Sequence, residues 1–270
     1  MTAPTETPPE ALERLRKLLR LSKSDNPNEA AVAAAAAQRL MTRYSIDSSL
    51  LVEPAANGRD AELPPETFGE HVVYERWGPL PTWLMFMASD VVEASGLHPA
   101  YSSGQGHSVY LAYGPAADAA LVRESLTHLV NEVERLATEG QARMGPGMGR
   151  SYWSSWRVGC AQTIGERVKR AAREAREERR RELTGPTLAD YQAAAGNPEA
   201  LLALDAAKAA PRYSLAVVET ALARLDKRPE RIKAWLKDEA KVKFRAARGR
   251  KVRTSGLEDG RRAGYKARLR

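Results

Sequence analysis

The chain has 270 residues, 43% of them apolar and 28% charged, with 42 Lys and Arg against 34 Asp and Glu for a net charge of +8. That length is enough for a sizeable core, and no apolar run approaches the roughly 20 residues needed to span a bilayer. Cys160 is the one cysteine, which excludes an internal disulfide and any multi-cysteine zinc or iron–sulfur site; the opening MTAPTETPPE lacks the basic-then-apolar order of a signal peptide, so the expected address is cytoplasmic with no membrane partner.

Leu12, Leu15, Leu18, Leu19 and Ser22 recur at three- and four-residue steps and predict a helix with one apolar stripe. Asn26 suits an N-cap, Pro27 the first helical position and Glu29 the third, so a second helix is expected to start there. Ala30 to Ala37 allow close approach, and Leu40, Met41 and Tyr44 continue its buried face. Residues 1–48 therefore read as an antiparallel helical hairpin domain. Residues 49–69, rich in Pro, Gly, Ala and Glu, read as a linker.

The order Leu15, Leu18-Leu19, Leu21, Asn26, Glu29-Ala30, Leu40-Met41, Arg43-Tyr44 and Ile46 resembles the small domain filed as domain of unknown function 2786. Arg14, Leu15 and Ser22 stand where that family usually has lysine, isoleucine and alanine. The resemblance implies a phage, prophage or mobile-element setting and a longer, uncharacterised second region. The pieces that look similar to that region here are WLMFMASDVVEASGL, VYLAYGPAADAALVRESLTHLV, SYWSSWRVGCAQTIGERV and DGRRAGYKARL. It implies no reaction.

Residues 70–270 are expected to form a mainly helical α+β domain with a basic C-terminal region. HVVYERW reads as a strand, and Leu80, Trp83, Leu84, Met87, Val91 and Ala94 mark a helix ended by Gly96. LHPAYSSGQGHSVYLAYG reads as a hairpin turning at Ser103–Gly106, with His107 opposite Ser102 and His98 opposite Leu111. From about Ala116 to Ala142 a long helix carries Val122, Leu126, Leu129, Val133 and Leu136 at alternating four- and three-residue steps. Such a seam calls for a partner helix from this chain or from a second copy, which makes a homodimer a candidate. Another helix starts at Ser151, a further one at NPEALLALDAA and a basic one at Pro229, while YSLAVVETALARL fits strand or helix. The fold class is α+β, mainly helical, around a small antiparallel sheet.

Sites for chemistry are sparse. His71, His98, His107 and His128 fall in no ligand spacing, so no metal and no cofactor are expected. Cys160 lies at an apolar helical position and reads as core, and no nucleophile elbow or phosphate loop is present. At 100° per residue Trp153, Cys160, Ile164, Val168, Ala171 and Ala175 share one side of their helix, with Trp156 at its border; Lys169, Arg173, Arg176 and Arg180 lie near the other. Gly256, Gly260 and Gly264, four apart, would line a bare helix face suited to close packing, with Arg261 and Arg262 beside it.

Charge is divided unevenly. Residues 1–149 carry 12 Lys and Arg against 19 Asp and Glu, and residues 224–270 carry 18 against 6. The densest run holds Lys241, Lys243, Arg245, Arg248, Arg250, Lys251 and Arg253 with no acid between them. Uncompensated cations of this density engage phosphates with little base selectivity. The leading expectation is thus a non-enzymatic nucleic-acid-binding protein, most readily for DNA through backbone contacts, accessory to replication, repair or recombination. The run 241–253 would carry the binding, helped by Arg261, Arg262 and the Lys169, Arg173, Arg176 and Arg180 face. A metal-dependent nuclease whose acids assemble only in the fold, and a self-associating structural protein, are the alternatives.

Overall fold

The computed structural model describes residues 8–21, 36–37, 39–46, 66–145, 147–184, 215–240, 242 and 255–266, with a few positions between 192 and 202. The expected capping box at Asn26–Glu29, most of the linker and most of the helix expected at residues 197–207 lie outside the described residues. The architecture is mainly helical with one three-stranded antiparallel sheet.

Helix α1 (Pro8–Leu21) has Glu10 in its first turn and Arg20 in its last, each complementing the helix dipole. It buries Ala11 and Leu15, and α2 (residues 39–46) buries Met41 and Ile46. Leu15 and Met41 belong to the large core formed by the rest of the chain, so the N-terminal helices are packed onto that core. Arg16 pairs with Glu124 at 2.7 Å, Arg39 with Glu178 at 3.1 Å, and Arg43 with Glu182 along the joint.

Strand β1 (Gly69–Trp77) pairs with β3 (His107–Gly114), which pairs with β2 (His98–Gly104), in the order β1-β3-β2. A bulge between Val72 and Tyr74 gives β1 one extra residue, Val73, which is buried in the large core. The hairpin turns more tightly than the sequence suggests. Gln105 and Gly106 have φ of 48° and 79°, the paired left-handed values of a two-residue turn matched to strand twist. Gly104 therefore faces His107 and His98 faces Tyr113, a register two residues from the expected one. A shift of two keeps every side chain on its face, so the core pattern survives the correction.

Tyr110 and Ala112 turn one face of β3 toward the large core, which also holds α3 (Thr82–Ala94), α4 (Ala116–Met144) and α5 (Arg150–Thr184). Leu111 and Tyr113 turn the other face toward Ile232 and Leu236 of α7 (Arg228–Asp238). The ambiguous YSLAVVETALARL segment contributes a helix, α6 (Leu215–Asp226), whose Ala221 and Leu225 meet Ile46 and Leu183. The α4 seam Val122, Leu126, Leu129, Val133 and Leu136 is buried within this chain's own core, so its partner helices come from the same chain.

Helix α5 packs against neighbours on several sides, and glycines set how closely they approach. A Cβ on Gly165 would lie 2.2 Å from Asp90 Oδ2 of α3, and one on Gly140 of α4 would lie 3.1 Å from the Trp153 ring. The closest approach is to α8 (Leu257–Lys266): a Cβ on Gly159 would lie 2.0 Å from Leu257 O, and one on Gly260 would lie 1.8 Å from Trp156 O. The two backbones touch, as the 256–260–264 spacing leads one to expect. Arg167 of α5 donates to Gly264 O at 2.8 Å and Tyr265 O at 3.1 Å, satisfying carbonyls at the end of α8.

Candidate nucleic-acid interface

Lys241, Lys243, Arg245, Arg248, Arg250, Lys251 and Arg253 lie outside the described residues, but both ends of their segment are tied to the fold. At the entry, Val242 N–H donates to Leu236 O at 3.0 Å, and the Val242 side chain packs on the cluster between α7 and the sheet. At the exit, Gly256 has φ 79°, and a Cβ there would lie 2.7 Å from Tyr152 O of α5. Tyr152 also donates to Asp259 Oδ2 at 2.7 Å, and burial with that carboxylate pushes its hydroxyl up to about 12.

Arg261 and Arg262 are exposed on α8, and Arg261 makes a long 3.7 Å approach to Glu258. An exposed pair of that length contributes little. The α5 cations are differently placed. Lys169 sits 2.5 Å from Asp90 and 3.1 Å from Glu93, Arg176 is 3.2 Å from Asp226, and Arg180 is 2.5 Å from Glu219. Their charge is offset by acids from α3 and α6, and Arg173 is exposed. The buried stripe of the same helix runs through Trp153, Trp156, Cys160, Ile164, Val168, Ala172 and Ala175, with Ala172 in place of Ala171.

The side chains with chemistry of another kind are scattered. His71 approaches Gly114 O, His98 and His107 occupy opposite ends of the hairpin, and His128 is buried in α4. Among the described residues no three His, Cys, Asp or Glu side chains gather where a metal ion could sit. Burial, reinforced by Glu132, pushes the Cys160 thiol up to about 12. The thiolate is the reactive form, so Cys160 is expected to be inert to a disulfide reagent at neutral pH in the folded protein and to react once denatured. Native-state reaction at the denatured rate would contradict this placement.

Sequence reasoning gave no sign of the buried charge cluster at the start of α7. Arg228 is 2% exposed and donates to Glu66 at 2.5 and 3.0 Å and to Asp118 at 2.9 Å. Asp118, 3% exposed, also accepts from Ser45 of α2 at 2.7 Å, and Arg231 adds a third bond to Glu66. Burial raises the Asp118 pKa above the usual carboxylate value, while Arg228 and Ser45 pull it down. Beside the cluster a cavity of about 20 Å³, lined by Ser45, Gly96, Arg176 and Arg228 among others, has room for a water molecule or two and for no larger ligand. Glu66 falls inside the expected linker, yet it anchors α7, and Gly69 already begins β1. The cluster thus stitches α2, the approach to β1, α4 and α7 together.

Among the described residues no helix is long and apolar enough to cross a membrane. No curated protein and no solved structure matches the chain. Residues 10–48 match the family described as "Protein of unknown function (DUF2786)", which makes the α1–α2 region similar to that family's domain.

Proposed function

We propose that this protein binds nucleic acid, DNA first of all, through its backbone and without catalysis, as an accessory in replication, repair or recombination. The observation that carries the reading is where positive charge is left over. In the folded body several cations are matched, Arg157 with Glu134, Lys169 with Asp90, Arg180 with Glu219 and Arg228 with Asp118. Between Lys241 and Arg253 seven Lys and Arg have no acid among them, and exposed Arg261 and Arg262 follow on α8. The resemblance to phage and mobile-element proteins is the reason for naming replication, repair or recombination.

Seven phosphate contacts would give a slope of about −6 in log affinity against log salt, so binding should weaken about four-thousandfold from about 50 to about 200 mM salt. A fluorescence-anisotropy titration with a short duplex reads this directly, and salt-insensitive affinity would contradict it. DNA incubated with the protein and Mg²⁺ or Mn²⁺ is expected to stay intact, whereas cleavage would favour the nuclease reading.

A further inference from the structure

The small cavity beside Arg228 has a wall of one charge. Its volume is about 20 Å³, and the charged side chains that line it are Arg176 and Arg228, with no Asp or Glu among the described residues there. The acids that pair with these two guanidinium groups, Glu66 and Asp118 with Arg228 and Asp226 with Arg176, do not line the space.

Both guanidinium groups converge on Gly96, just past the end of α3. A Cβ on Gly96 would have Arg176 Nη2 and Arg228 Nη1 each 3.9 Å away, so glycine leaves the space between them open. Its φ of 72° is one that side chains rarely adopt. Hydroxyls of Thr42, Ser45 and Ser95 complete the polar wall. Ser45 donates to Asp118 and Ser95 to Val91 O, which leaves the guanidinium N–H groups as the principal donors facing the space. Arg176 is the less well matched of the two cations. Its side chain is 31% exposed, whereas its partner Asp226 is 67% exposed and screened by water. Burial lowers the Arg176 pKa below the ordinary arginine value; Asp226 opposes this, and Arg228 adds to it. Two like charges therefore share a poorly solvated space, where negative charge between them relieves both.

We infer that this cavity is a binding site for a monatomic anion, chloride or another halide, held between Arg176 and Arg228. The volume excludes phosphate and sulfate, and the paired guanidinium groups repel metal cations. Thr42 and Ser45 belong to the region matched by the family and Arg176 and Arg228 to α5 and α7, so the bound ion ties that region to the rest of the chain. The site does not depend on nucleic-acid binding.

The test unfolds the full chain thermally in sodium gluconate, with sodium chloride substituted stepwise at constant ionic strength. The midpoint is expected to rise by about 3 °C and to saturate, the shift for an ion that binds the folded state alone at about ten times its dissociation constant. The chloride-35 NMR line should broaden in the presence of the protein and narrow again as bromide displaces chloride. Arg176→Gln should lose both effects, as should Gly96→Ala, which puts a methyl into the same space. Arg173→Gln, which removes an equal charge from an exposed position of the same helix, should keep them. A midpoint and a line width in the parent that are indifferent to chloride would show that the cavity holds water and would overturn the site. Effects kept in full by Arg176→Gln or Gly96→Ala would overturn it too.

Discussion

Replacing Arg228 with methionine is expected to lower the free energy of unfolding by about 3–5 kcal/mol, because it leaves the Asp118 carboxylate inside the protein without its cation and leaves Glu66 with Arg231 alone. Asp118 is 3% exposed. Its remaining polar partner would be Ser45, a neutral hydroxyl. The pH dependence follows from the direction of its shift. A carboxyl whose folded-state pKa is raised contributes stability that is fully present below its unfolded value, near 4, and lost as pH rises through the folded value. Burial already raises the Asp118 pKa, and Arg228 is the largest opposing influence. Removing Arg228 therefore raises it further, so the deficit of the variant should be greatest near pH 7 and shrink toward about pH 5. Urea unfolding at the two pH values reads this. Asp118→Asn added to the same variant should recover part of the loss at neutral pH, since an amide costs less to bury than a charge. A variant as stable as the parent at neutral pH would show that the cluster is not closed to water as described.

Gly260→Ala tests the α5–α8 joint, and its value lies in its sign. In an exposed or loosely held helix this change stabilises by about 1 kcal/mol, since alanine is the better helix former. Here the new methyl would stand 1.8 Å from Trp156 O, with Trp156 Cα and C also within 3 Å. Neither helix can give way by moving a side chain, because the obstruction is backbone. A loss of about 2–3 kcal/mol is expected, together with tryptic cleavage at Arg261 or Arg262 in a released α8. Gly159→Ala should behave alike, because its methyl would stand 2.0 Å from Leu257 O. Arg262→Ala, at an exposed position, should stay within about 0.5 kcal/mol of the parent. Stabilisation by Gly260→Ala would mean that α8 does not lie on α5.

Much of this fold is written in local pattern. The four–three spacing of the α4 seam, the Trp153–Ala175 stripe and the three glycines at four-residue steps each name a buried face before any partner is known. What pattern does not carry is the identity of the partner. Arg228 looks like one cation among many in a basic helix; only Glu66 and Asp118, both more than 100 residues earlier, make it the most deeply buried charge of the cluster. The same holds for Lys169, Arg176 and Arg180, whose far face of α5 reads as basic surface until Asp90, Asp226 and Glu219 arrive from other helices. YSLAVVETALARL became a helix through the contacts of Ala221 and Leu225, which its own periodicity could not select.

The claim that the 241–253 cations carry binding is tested most directly by the salt slope of two variants of the full chain. In the first, Lys241, Lys243, Arg245, Arg248, Arg250, Lys251 and Arg253 become glutamine; in the second, Lys169, Arg173 and Arg180 do. The slope of log affinity against log salt is predicted to fall from about −6 toward zero in the first variant and to change by less than about one unit in the second. An unchanged slope in the first, or a larger change in the second, would contradict the account.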